Sequence, residues 1–354
     1  MRFSVASLEH PIVQAPMGGG PSTPALAAAV SEAGGLGFLA AGYKSAGAAR
    51  ADLKATRELT GRPFGMNLFA PPGPAADAAA VQRYASSLCD EAERYGAPLG
   101  EPRHDDDGWA AKLELAAELR VPVVSFTFGC PDRAAVADLQ DAGAAVWVTV
   151  TTADEARAAA AAGADALVVQ GVEAGGHRGS FDDAAPGEIG LLALLQLVRA
   201  AVELPLVATG GIASGRAVAA VLAAGAAAAQ LGSAFMRVPE AATSPAHREA
   251  LAHDSGTALT RAFTGRAARG IINRFLLEHS PDAPSAYPDV HHVTAAVRAA
   301  AREQGDPDGF HLWAGQAHPL ATELPAGELV RRLALEAREA LAEAAARLDP
   351  DARC

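Results

Sequence analysis

The chain has 354 residues, half of them apolar and a fifth charged, with only 5% aromatic. That composition excludes a disordered or collagenous chain and a disulfide-stapled miniprotein. A net charge of −12 argues against a nucleic-acid partner, although backbone N–H groups can still hold one phosphate locally.

Short apolar runs bounded by glycine mark strands buried on both faces. The first is residues 12–15 (IVQA). Thr23 and Pro24 then read as an N-cap followed by proline at the first helical position, opening a helix with Leu26, Val30 and Ala33 on one face. Residues 36–40 (LGFLA) and 64–68 (FGMNL) are the next two strands. A long excursion follows, in which 78–95 reads as one extra helix and the Asp105, Asp106, Asp107 run reads as a solvated acidic loop. Strands four and five are 123–128 (VVSFTF) and 145–150 (AVWVTV), and Thr152 with Glu155 reads as a capping box. Residues 165–170 (DALVVQ) precede a helix with Leu191, Leu194, Leu195 and Val198 at helical spacing. Residues 205–209 (PLVAT), a helix capped by Ser214, and 227–231 (AAAQL) complete eight strands.

Eight alternating strand and helix units predict an α/β fold, a (β/α)₈ TIM barrel. No GxGxxG and no GxxxxGK[ST] occurs, so the nucleotide fingerprints of open sheets are missing from the sequence. The expected organisation is a barrel over 1–236, a smaller helical cap domain inserted after strand eight over 237–311, and a segment over 312–354 that closes onto the barrel. Cys89, Cys130 and Cys354 are an odd number without CxxC spacing, which predicts neither a disulfide framework nor a zinc site. His291 and His292 are adjacent and cannot easily aim at one metal, and no metal is expected. The amino terminus has no uninterrupted signal-peptide core, and the alanine-rich 217–236 is a poor membrane span. A cytoplasmic protein is expected.

A TIM barrel presents its site on the loops after its strands. Gly210-Gly211 after strand seven and Leu231-Gly232-Ser233 after strand eight place bare backbone N–H groups at neighbouring helix starts, where barrels bind phosphate. One glycine pair would be an ordinary turn; two on adjacent strands favour an anion. His177, in EAGGHRG after strand six, projects from a glycine loop and carries a side chain whose ordinary pKa of about 6.5 suits proton exchange. Arg178 beside it is expected to be exposed or to assist an anion. Cys130 reads as a small buried hydrophobe.

Taken together, PIVQAPMGGG, GGLGFLAAG, FGMNLF, QGVEAGGHRG, ATGGIASGR, AQLGSAF and LWAGQAH resemble the nitronate monooxygenase family over residues 11–333. The resemblance implies an FMN-dependent oxidoreductase that uses O₂ to convert a nitronate to a carbonyl compound and nitrite. It implies that His177 is the catalytic histidine. It also implies FMN contacts at Met17, Asn67, Gln170, Gly175, Gly210, Gly211, Gln230, Leu231, Gly232 and Ser233. The implied partners are a small anionic nitro compound and O₂, without nucleic acid or membrane, and a homo-oligomer is compatible with the sequence. The alternative reading is an FMN-dependent NAD(P)H reductase of the enoyl-acyl-carrier-protein reductase type.

Overall fold

The computed structural model describes residues 2–348. All eight apolar runs form strands: β1 (Ile12–Gln14), β2 (Phe38–Ala40), β3 (Gly65–Phe69), β4 (Val123–Thr127), β5 (Ala145–Val150) and β6 (Ala166–Gln170), then β8 (Leu206–Thr209) and β9 (Ala228–Leu231). Between them, β7 (Gly176–His177) is a two-residue strand outside the barrel. The parallel order is β1-β9-β8-β6-β5-β4-β3-β2. A parallel bridge from Val13 to Leu36 closes the ring, with Leu36 N donating to Ile12 O and Gln14 N donating to Leu36 O. This is a TIM barrel.

The two-residue period of each strand divides its side chains between interior and helices. Low in the barrel, Val13, Phe38, Val123, Trp147, Val168 and Val207 form an apolar interior layer, against which Val5 and Phe3 pack from the amino terminus. Their neighbours Leu68, Phe126, Val148, Leu167, Ala208 and Leu231 instead join the clusters under the helices. One step further along each strand, the inward positions turn polar: Asn67, Ser125, Thr149, Gln170, Thr209 and Gln230 are all buried. The barrel is therefore greasy at its base and polar at its mouth. That gradient positions the site.

The helix starts follow the expected chemistry. Thr23 Oγ1 accepts from Leu26 N at 3.0 Å, Thr152 Oγ1 from Glu155 N at 3.1 Å and Ser214 Oγ from Ala217 N at 3.3 Å. Glu155 departs from a capping box: its carboxylate takes Thr151 N and Phe181 N, tying the loop after β6 to the helix after β5. The last helix, Ala326–Leu348, buries Leu329, Val330, Leu333 and Ala337. It lies so close to the helix Gly215–Ala223 that a Cβ at Gly215 would sit 2.2 Å from Glu336 Cβ. Cys354 lies outside the described residues. None of the described helices is long and apolar enough to cross a membrane.

Three expectations need correction. The segment after β9 is not purely helical. Besides the helices Pro245–Ala252, Arg274–His279 and Asp289–Glu303, it contains an antiparallel hairpin of β10 (Thr257–Thr260) and β11 (Ala268–Ile271). β11 also pairs with β7, placing Ala268 opposite His177. The strand partner comes from a distant loop, so no local pattern announces the sheet. The excursion after β3 holds two helices, Ala78–Ser87 and Cys89–Tyr95, where one was expected, with the break at Leu88. Val81, Tyr84 and Leu88 pack on Phe263, Phe275, Val290 and Val293, so both excursions build one layer over the mouth. Within the first, Asp107 is no solvated charge: it pairs at 2.6 Å with Lys112, which is only 2% exposed.

Candidate active site

A cavity of about 400 Å³ lies between the polar mouth of the barrel and the cap layer. Asn67, Gln170 and Gln230 line its floor, Met17 and Gly175 its sides, and His177, Thr264, His291, Arg298, His311 and Trp313 its roof. Asn67 Oδ1 accepts from Ser125 Oγ at 2.8 Å and Thr127 Oγ1 at 3.0 Å, which orients the amide nitrogen and leaves its N–H groups for a ligand. Gln170 is partly committed. Its Oε1 accepts from Gly179 N at 2.8 Å and its Nε2 donates to His177 O at 3.1 Å, so it fixes the glycine loop. Arg178 is fully buried, against expectation. It donates to the carbonyls of Gly171 at 2.7 Å and of Gln170 and Pro186 at 3.2 Å, knotting the same loop.

A smaller pocket of about 50 Å³ opens beside this cavity and shares Gly175, Gln230, Gly232 and Ser233 with it. Gly210 and Gly211 line the small pocket. Both have left-handed backbones, with φ of 118° and 67°, a turn that suits glycine. Among the described residues, no backbone hydrogen bond uses the N–H of Gly210, Gly211 or Gly232. Ser233 Oγ accepts from Gly315 N at 2.9 Å, and Gly175 lies against the same backbone, where a Cβ would come within 2.3 Å of Gly315 N. Leu231 is the exception among the expected contacts. The alternation that turns Gln230 inward turns Leu231 outward into the helix-facing core, and it lines neither pocket.

His177 is held where the loop after β6 meets the hairpin. Its Nε2 lies 2.9 Å from Thr264 Oγ1, and its ring meets those of Trp313 at 5.3 Å and Phe128 at 5.6 Å. Burial, reinforced by the charge of Arg266, pushes its pKa down to about 3. Burial of this kind favours the neutral imidazole near neutral pH over the proton exchange expected from the ordinary value.

Positive charge comes from elsewhere. Arg298, buried in the roof, donates to Thr294 Oγ1 at 2.9 Å, His311 Nδ1 at 3.1 Å and His291 Nδ1 at 3.2 Å. A guanidinium can only donate, so both ring nitrogens facing it are acceptors. Among the described residues its hydrogen-bond partners are Thr294, His311 and His291, with no carboxylate among them. Arg302 lines the cavity too. A buried cation without a carboxylate partner at the edge of this cavity favours an anionic ligand.

The sequence reading did not assign Thr264, His291, Arg298 or His311 to the site. His291 stood out only as a histidine poorly placed to bind a metal, and Trp313 only as part of LWAGQAH. Among the described residues, Glu91, Glu278 and His279 approach one another closely enough to hold an ion. The Arg274 guanidinium occupies Glu91 instead, at 2.6 and 2.7 Å.

Comparison with known proteins gives a consistent result. The family described as nitronate monooxygenase matches residues 2–336. A nitronate monooxygenase of Pseudomonas aeruginosa is 43% identical over 351 residues, covering 95% of this chain and 99% of the relative. Among solved structures, nitroalkane oxidase from Streptomyces ansochromogenes is 54% identical with a TM-score of 0.93, over 96% of this chain and 99% of the other. A more distant neighbour, FabK from Thermotoga maritima, is 27% identical with a TM-score of 0.75 over 96% of both chains.

Proposed function

The chain belongs to the nitronate monooxygenase family, and from that premise we propose that its barrel mouth binds FMN and that His177 and Arg298 present a nitronate to it. Enzymes of this family are flavin-dependent; FMN is our choice of flavin. The small pocket has room for one phosphate, and the free N–H groups of Gly210, Gly211 and Gly232 suit it. A dinucleotide tail would find no space in 50 Å³. Asn67, Gln170, Gln230, Gly175, Met17 and Ser233 would hold the rest of the cofactor in the larger cavity. When bound, the flavin supplies electron transfer from the substrate and reaction with O₂.

The protein's own part is binding and orientation. The placement of His177, held at Thr264 Oγ1, in one cavity with the buried Arg298 cation is the observation that carries this reading. A site with a strong base could start from a neutral nitroalkane, whereas an imidazole whose pKa is about 3 holds an abstracted proton poorly. A nitronate arrives already deprotonated. It needs a hydrogen-bond donor and a compensating charge, which His177 and Arg298 provide. The contact of Nε2 with Thr264 Oγ1 leaves Nδ1 as the free ring position, which donates to the nitronate in the tautomer whose Nε2 accepts from the Thr264 hydroxyl. The products are a carbonyl compound and nitrite. A cytoplasmic location completes the reading.

A second reading has one observation behind it: the relative with 54% identity is named a nitroalkane oxidase. Flavin reduction by NAD(P)H has only the distant relation at 27% identity. One experiment separates all three. The purified holoprotein is mixed without oxygen with ethyl nitronate, with neutral nitroethane, or with NADH, and the visible spectrum is followed. Fast bleaching by the nitronate, slow bleaching by nitroethane and none by NADH is the expected pattern. Bleaching by nitroethane at an equal rate would overturn the assignment of His177, and bleaching by NADH alone would overturn the nitronate reading. Cofactor released by heat should be FMN; FAD would refute the phosphate pocket.

A further inference from the structure

Two cavities meet at one aromatic wall. Behind the chamber just described lies a second cavity of about 520 Å³, reached by Lys44, Asp105, Lys112 and His292. Tyr43, Phe69 and His291 line both. The rings of Tyr43 and His291 stack with centroids 4.1 Å apart and 6° between their planes, and Phe69 meets Tyr43 edge-on at 5.3 Å.

The wall is held against the preference of its own backbone. Tyr43 has φ of 65°, a left-handed conformation that side chains with a Cβ avoid. Its N–H donates to Asp107 Oδ1 at 3.0 Å, and the other oxygen of Asp107 takes the buried Lys112 ammonium at 2.6 Å. Glycine would occupy this turn without strain. What tyrosine adds is the ring, and the ring's position is the division between the two cavities. A strained residue pinned by a buried ion pair at the edge of a site points to a role for its side chain.

We propose that Tyr43 determines specificity by setting the length of nitronate that the site accepts, a proposal that rests on the nitronate reading. A short alkyl chain ends at the Tyr43 and His291 rings. A longer one must displace them or remain outside, although ample volume lies beyond.

Tyr43→Gly tests this without disturbing the turn, because glycine suits the φ and keeps the N–H that Asp107 accepts. kcat/KM is measured for straight-chain nitronates from ethyl to octyl, each variant being scored by its own ratio of long to short chains. In the wild type the ratio should fall with length. In Tyr43→Gly it should rise by about fourfold for each methylene that the merged cavity buries. Tyr43→Phe keeps the ring and should keep the wild-type profile. Identical profiles in the wild type and Tyr43→Gly, or a cut-off lost in Tyr43→Phe, would overturn the proposal. The matching straight-chain carboxylates, read by perturbation of the flavin spectrum, report the same length dependence without turnover. If no nitronate is oxidised, the functional reading falls while the carboxylate profile still judges the wall.

Discussion

The two ends of the site are built in different ways. The end proposed to hold a phosphate consists of backbone: glycine turns after β8 and β9, whose N–H groups take part in no backbone hydrogen bond among the described residues. The histidine end consists of side chains from separate parts of the chain, with His177 after β6, Thr264 between β10 and β11, Arg298 on the helix Asp289–Glu303 and Trp313 beyond it. Backbone donors are indifferent to side-chain identity except where a Cβ intrudes, so the first end tolerates substitution at all but its glycines. The second depends on each partner. Retention of the cofactor should therefore fail through steric intrusion at one end, and selectivity through loss of single groups at the other.

The sharpest break expected is Gly232→Glu. The nearest atom to a Cβ there is Ala15 Cβ at 3.7 Å, an ordinary contact, so the barrel should still fold. The carboxylate would stand where the phosphate belongs, and purified protein should contain no flavin by absorbance while keeping its circular dichroism. Full flavin occupancy would dissolve the distinction between the two ends.

His177→Asn probes the other end. Flavin content should stay at the wild-type level, since the proposed cofactor contacts lie mainly on other loops. Loss of a hydrogen bond to a charged ligand costs about 1.5–3 kcal/mol, or roughly one to two powers of ten in the rate of anaerobic bleaching by a nitronate. Stopped-flow rates equal to the wild type would return His177 to a structural role.

Acid should affect the roof first. Burial lowers the pKa of His177 to about 3, of His247 to about 4 and of His291 to about 2. These folded values lie below the unfolded value of about 6.5, so the unfolded chain binds more protons as pH falls. The associated stability is intact above that value and is lost as pH drops toward the folded pKa values. By pH 5 the buried His247 imidazole should remove on the order of 2 kcal/mol, and the half-buried His177 and His291 less. The melting temperature should decline between pH 6.5 and 4.5, and His247→Gln should soften the decline. A flat profile over that interval would show that the roof exposes its histidines at little cost.

The barrel was legible because strands buried on both faces leave unbroken apolar runs, and because glycines at their ends mark the turns. Gly210, Gly211, Gly232 and Ser233 could be found by that signal alone. Leu231 is set apart by the same logic, since the side chains of Gln230 and Leu231 must face opposite sides of β9. The roof was not legible. Arg298 lies on an amphipathic helix like any other surface arginine, and only folding sets it against His291 and His311. Arg178 looked like an exposed residue because nothing local reveals the three carbonyls that wait for it. Sequence periodicity reports which face is buried; it says nothing about which distant element will cover it.

The pairing of β7 with β11 has a mechanical consequence. Ala268 stands opposite His177, and Arg178 N donates to Ala267 O at 2.8 Å, so the histidine is stitched to the hairpin by main-chain bonds. A displacement of the hairpin that keeps these bonds carries the backbone of His177 with it. Amide exchange at Arg178 thus gauges how firmly the histidine loop and the hairpin stay joined.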